Sequence, residues 1–171
     1  LSFSIDEFSK LPINHISAYM LKVEAGTPYD CDCIRKELFD DDTQADMYLL
    51  AVKRLESNGF LQYEISNFCK DNMRSRHNIK YWQLNEYIGF GPSAHSYYDG
   101  KRFFYSRDIK EYINNPASTY EVEDASPDKL TEYTMLSLRL VDGLSLKTFA
   151  ELGGNIEVLE RLSSQLCKSK L

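Results

Sequence analysis

The sequence predicts an α/β fold, and three observations carry that prediction. Two β-rich apolar runs, residues 15–24 and 60–65, flank a long amphipathic helix, which is the strand–helix–strand unit of a parallel sheet or barrel. Asp99-Gly100 separates two β-prone runs and is a strong hairpin signal. From Ser126 onward three short capped helices follow one another, the pattern of a helix-turn-helix or winged helix.

Ser4-Ile5-Asp6-Glu7 reads as a capping box that opens a short helix as far as Leu11. Residues 15–24 (HISAYMLKVE) are largely apolar without clean alternation, which suits a strand buried on both faces. Glu24-Ala25-Gly26-Thr27-Pro28 ends it as a loop in which the Glu24 carboxylate accepts hydrogen bonds from Gly26 or Thr27. Asp40, Asp41 and Asp42 precede a helix over residues 43–58. Tyr48, Val52 and Leu55 form its apolar stripe, and the acids suit its N-terminal dipole. They lack the alternating spacing of a calcium loop. Gly59 fits the C-terminal cap, and residues 60–65 (FLQYEI) form the second strand.

Residues 68–80 read as polar and irregular. Residues 87–90 form a short apolar run that ends in Gly89-Phe90-Gly91-Pro92. Residues 93–98 and 101–105 are the arms of the hairpin. Ser106 caps a helix that runs to Asn114 and is closed by Pro116. Ser126-Pro127 is an N-cap followed by proline at the first helical position, and this helix runs to about Val141. Ser145 caps the next helix, with Leu144 and Phe149 as a hydrophobic staple; Gly153-Gly154 stops it, and Asn155 opens the last.

Composition excludes several function classes. With 43% apolar residues among 171, the chain can bury a core and is not disordered. Its 26 acidic and 20 basic residues give a net charge of -6, which disfavours non-specific binding to nucleic acid. The last helix carries Glu157 and Glu160 beside Arg161 and Lys168, whereas a recognition helix needs a basic exposed face. No run suits a transmembrane span and no basic-then-apolar leader is present, so a cytoplasmic location is expected. Both ends, Leu1 and Leu171, are expected to be cuts through a longer chain. Cys31, Cys33, Cys69 and Cys167 show neither CxxC nor CxxxCxxC spacing and are expected as free thiols.

The most specific stretch is Tyr63-Glu64-Ile65-Ser66-Asn67-Phe68, then Ser75-Arg76-His77-Asn78-Ile79-Lys80-Tyr81-Trp82, then Tyr87-Ile88-Gly89-Phe90-Gly91-Pro92-Ser93-Ala94-His95-Ser96. These blocks resemble, in order and spacing, the YEISNFA, SRHNxxYW and YxGxGxGAHS segments of the HemW branch of the HemN/HemW radical-SAM family. HISAYMLKVEAGTPY resembles a late strand of that family's barrel, and LTEYTMLSLRLVDGLSL the start of its C-terminal domain. The resemblance implies that residues 1–66 close a partial radical-SAM (β/α) barrel. It implies that residues 67–119 form a connecting region with the hairpin, and that residues 120–171 begin a truncated, winged-helix-like C-terminal domain. A barrel without its earlier strands is expected to expose apolar surface.

The same resemblance implies heme binding through His77, Asn78 and Tyr81, with His77 or Tyr81 as the iron ligand. Imidazole and phenolate both ligate heme iron, and Trp82 can cover a porphyrin face. On the residues alone, a polar loop with Tyr81 and Trp82 packed into a core remains an alternative. Gly89, Gly91, Ser93 and His95, together with Lys22, are implied to lie near S-adenosyl-L-methionine in the intact parent; on the residues alone the glycines also suit a tight turn. The cysteine triad that holds the family's 4Fe–4S cluster has no counterpart here, so cluster and S-adenosyl-L-methionine belong to the full-length parent, and no catalytic residue is assigned. The implied function is heme binding and delivery, with a heme-acceptor protein and an electron donor as partners. The alternative is an oxygen-independent coproporphyrinogen III oxidase.

Overall fold

A computed structural model describes residues 1–115 and 120–168. The chain is α/β and divides into two compact units, Leu1–Ser75 and Arg76–Leu171. Among the described residues it contains two three-stranded antiparallel sheets and no closed barrel.

The first unit runs α1 (Ser2–Ser9), β1 (His15–Ser17), α2 (Asp32–Arg35), α3 (Asp41–Ser57), β2 (Leu61–Glu64) and β3 (Asn67–Cys69). Its sheet order is β1-β3-β2. Both β1 and β2 are antiparallel to β3, so they run parallel to each other with β3 between them. The strand–helix–strand reading therefore holds in direction but not in pairing. The tight turn after β2 returns the chain so that β3, buried along its whole length, lies between β1 and β2. Residue 68, assigned to an irregular stretch by the sequence, is the centre of that strand.

The predicted strand over residues 15–24 is cut to three residues. Its last backbone link to the sheet is Ala18 N–H to Ser66 O, 2.8 Å. Beyond it Tyr19 (72% exposed), Met20 (59%) and Leu21 (57%) face solvent.

Helix α3 forms where the sequence predicts. The Asp40 side chain caps it through Thr43 N–H at 2.8 Å, which also holds the Asp40 carboxyl below its ordinary range. Gly59 ends it at φ +83°, a conformation that favours glycine. Ala51, Leu55, Phe60, Phe68 and Ile5 make the core of this unit, and Ile13, Ile16, Ala18 and Val52 pack around it. Helix α1 is pinned to α3 by the Arg54–Asp6 ion pair, Nε to Oδ1 2.7 Å. The expected capping box fails because α1 starts earlier: Ser4 lies inside the helix and Leu1 stands at the N-cap without a side-chain bond. Cys31 and Cys33 are joined as a disulfide rather than free; Cys69 and Cys167 are free thiols.

The second unit runs α4 (Arg76–Trp82), β4 (His95–Tyr98), β5 (Lys101–Tyr105), α5 (Ile109–Asn114), β6 (Tyr120–Asp124), α6 (Lys129–Ser137), α7 (Leu146–Glu151) and α8 (Ile156–Lys168). The β4–β5 hairpin turns at Asp99 (φ +50°) and Gly100 (φ +67°), as the Asp-Gly signal requires. Strand β6 adds an edge that the sequence did not reveal: YEVED is acidic, and all five residues are exposed. Helix caps shift by two residues from their predicted places. Asp108, not Ser106, caps α5, and Asp128, not Ser126, caps α6, because a carboxylate accepts two backbone N–H groups at once. Helix α6 stops at Ser137, short of Val141. Ser145 caps α7 as predicted, and Asn155 accepts from Val158 N–H at the start of α8. The predicted stop at Pro116 lies outside the described residues. Among the described residues no helix is long and apolar enough to cross a membrane.

Candidate functional site

The stretch that the sequence left irregular folds into α4, and the helix decides the geometry of the candidate ligands. His77 and Tyr81 stand one turn apart on one face. His77 Nε2 and the Tyr81 hydroxyl lie 3.0 Å apart in a hydrogen bond, with the rings edge to face at 4.9 Å and 87°. His77 is exposed, and Asn78, Tyr81 and Trp82 are half-buried. An imidazole and a phenol are both iron donors. Here they are engaged with each other.

A shelf of rings and charge continues from Tyr81. The Tyr87 ring meets it edge-on at 4.5 Å and 74°. Tyr87 is fixed to β4 by reciprocal backbone bonds to Tyr97 of 2.7 and 2.9 Å. Arg102 on β5 binds Glu132 of α6 through two bonds, Nε–Oε1 2.9 Å and Nη2–Oε2 2.8 Å. It lies over the Tyr97 ring at 5.0 Å and approaches the Tyr87 hydroxyl at 3.5 Å through Nη1. The Glu132 bonds push the guanidinium pKa upward. Burial pushes the Tyr87 phenol up as well, against the opposing pull of Arg102. Tyr81, Trp82, Leu84, Asn85, Tyr87, Tyr97, Arg102 and Leu136 enclose a cavity of about 280 Å³. Arg139 stacks on the Trp82 ring at 4.3 Å, and the buried Trp82 indole N–H has no acceptor among the described residues.

The glycine segment that enters β4 is tightly built. Gly89 N–H donates to Ser96 Oγ (3.0 Å), and a Cβ at Gly89 would lie 2.3 Å from the His95 carbonyl oxygen, so no side chain fits. Gly91 (φ +113°) donates to the Tyr112 hydroxyl at 3.1 Å. Ser93 stands at φ +61°, with its N–H on Ser106 O at 3.1 Å. His95 packs its ring on Phe104 at 5.3 Å and faces Glu123, Nδ1–Oε2 3.4 Å. All four therefore belong to one short segment of the second unit. Lys22 belongs to the first unit, where it is exposed and paired with Glu24 at 2.9 Å. The Glu24 carboxylate is thus held by Lys22, and it is the Glu24 backbone carbonyl that accepts from the Thr27 hydroxyl, 2.8 Å.

The Tyr63–Phe68 block builds a buried polar cluster that the sequence signalled only as a motif. Glu64 is fully buried; its Oε1 accepts from Ser66 N–H (2.8 Å) and from the Asn67 side-chain amide. Asn67 Oδ1 accepts from Ser17 Oγ at 2.5 Å. The Tyr63 hydroxyl accepts from Ser75 N–H (3.1 Å) and shares a hydrogen bond with His15 Nε2 (2.8 Å). Burial holds the His15 imidazole below its ordinary range, opposed by the Glu64 charge. The unfolded chain therefore binds a proton more readily than the folded one. His15 thus contributes stability that is full above about pH 6.5 and lost as pH falls below that value. Thermal melts at neutral pH and near pH 5 should show a drop that His15→Gln makes smaller; an unchanged drop would remove His15 as its source.

Alongside this cluster, an apolar cavity of about 420 Å³ opens in the first unit between residues 18–21, 37–39 and α3.

No protein-family model matches the chain, and no solved structure does. Curated proteins do. A heme chaperone HemW of Bacillus subtilis (strain 168) is 36% identical over 161 residues, which is 88% of this chain and 42% of that protein. A heme chaperone HemW of Mycobacterium tuberculosis (strain ATCC 25618 / H37Rv) is 37% identical over 150 residues, 84% of this chain and 38% of its own length. The mitochondrial radical S-adenosyl methionine domain-containing protein 1 of Danio rerio is 43% identical over 84 residues, 48% of this chain and 19% of its own. The chain spans less than half the length of each of these relatives.

Proposed function

Because this chain belongs to the HemW-like radical-SAM family, we propose that it carries the heme-binding part of a heme chaperone, with heme as cargo. The observation that carries the reading is the His77–Tyr81 pair on one face of α4, beside the ring shelf of Tyr87 and Trp82. Two iron-ligating groups and flat apolar surface suit a metalloporphyrin. Asn78 precedes the pair's second turn and is assigned to the same site by family resemblance.

In this reading residues 1–66 are the closing part of a radical-SAM barrel, 67–119 the connecting region and 120–171 the start of a winged-helix-like C-terminal domain. The 4Fe–4S cluster and S-adenosyl-L-methionine belong to the intact parent, where Lys22, Gly89, Gly91, Ser93 and His95 lie near the latter. An electron donor, a heme-acceptor protein and a cytoplasmic setting complete the proposal. The oxidase alternative is not favoured, because the relatives matched over most of the chain are chaperones by name.

Hemin titration by absorbance tests this. A Soret band should saturate near one heme per chain and weaken roughly ten-fold or more in His77→Ala or Tyr81→Ala, the loss expected when a ligand or its partner is removed. A band that does not saturate, or one that both variants leave untouched, would overturn the assignment of α4.

A further inference from the structure

We infer that the cavity beside α4 is a carboxylate subsite, and that Arg102 and Tyr87 hold there a propionate of the porphyrin whose iron meets His77 or Tyr81. The inference rests on the heme reading above and specifies how the ring is oriented.

A guanidinium carries five N–H donors in a planar fork, enough for two carboxylates on two edges. Glu132 takes the Nε/Nη2 edge with bonds of 2.9 and 2.8 Å. On the far edge, Nη1 has only the 3.5 Å approach to the Tyr87 hydroxyl, which is too long to satisfy it. Arg102 and Tyr87 line the same cavity, with the Trp82 ring as part of its wall. Glu132 is already occupied with the other edge of Arg102, and Glu123 and Asp124 of the neighbouring strand β6 lie close by. A carboxylate is the ligand chemistry that uses both free donors: it accepts from Nη1 and from the phenol. Tyr81 also lines this cavity, so the subsite borders the proposed iron position. Heme carries two carboxylates on flexible propionate arms, and one of them can reach a neighbouring pocket while the iron stays on α4.

The test compares hemin with hemin dimethyl ester, which keeps ring and iron but has no free carboxylate. Each is titrated into the wild-type chain, Arg102→Met and Tyr87→Phe. Wild type is expected to bind hemin roughly ten-fold or more tightly than the ester, the discrimination of a charge-assisted pair. Arg102→Met should remove that preference by weakening hemin alone. Tyr87→Phe, which keeps the ring against Tyr81 and deletes one oxygen, should remove part of it. Equal affinity of wild type for hemin and ester would overturn the subsite and leave the heme reading standing. An equal loss for both ligands in Arg102→Met, with Tyr87→Phe unchanged, would also overturn it, since that is the mark of a purely structural arginine. No saturable binding of either ligand by wild type would overturn both readings.

Discussion

Phe60→Ala should cost the first unit about 3–5 kcal/mol, the range for truncating a fully buried aromatic side chain. Phe60 is 0% exposed and follows directly on Gly59, where α3 ends. Its N–H donates to Leu55 O at 3.0 Å, so the helix terminus itself aims the ring inward. There it meets Leu55, Ala51, Ile5 and Phe68, and Lys70 Nζ lies over its outer face at 4.2 Å. This core has few members, so little remains to collapse into the space left behind. With native stabilities of about 5–15 kcal/mol, a loss of that size takes much of the unit's margin. Urea unfolding followed by far-UV circular dichroism would report it. A shift below about 1 kcal/mol would mean that the surrounding side chains refill the space.

The reach of the sequence is clearest where one residue type has one job. The Asp99-Gly100 turn, Gly59 at the end of α3 and Ser145 at the start of α7 were all legible, because each depends on the local backbone alone. Pairing was not. Strands β1 and β2 have the directions of a parallel unit, yet β3 slips between them, and no local pattern announces an insertion made by long-range contacts. Strand β6 failed for the opposite reason: an exposed acidic edge carries no apolar alternation to read. For the candidate site, motif order picked out His77 and Tyr81, but residues 68–80 gave no helical period, so their contact on one helix face appeared only in three dimensions. Arg102 and Glu132 were missed altogether. They are 30 residues apart in the chain and become partners only once β5 and α6 are in place.

Glu64 separates the two kinds of meaning that a family-like motif can hold. It sits in the same string of motifs as His77 and Tyr81, but its surroundings are those of a clasp. Buried completely, it accepts from Ser66 N–H and from Asn67, and Asn67 in turn holds Ser17 at the end of β1. Glu64→Ala would strand the buried Asn67 amide and the half-buried Ser66 N–H and slacken the bond that ties β1 to the turn, costing about 2–4 kcal/mol. Glu64→Gln keeps one acceptor oxygen in place and should recover more than half of that loss. Hydrogen exchange at the Ser66 amide should rise steeply in the alanine variant and modestly in the glutamine one. Hemin affinity of the folded glutamine variant should match wild type, because the clasp belongs to Leu1–Ser75 and α4 to the other unit. If Glu64→Gln instead left stability intact and weakened hemin, the Tyr63–Phe68 block would be part of the ligand site, and the division between a structural motif and a binding motif drawn from the geometry would have to be given up.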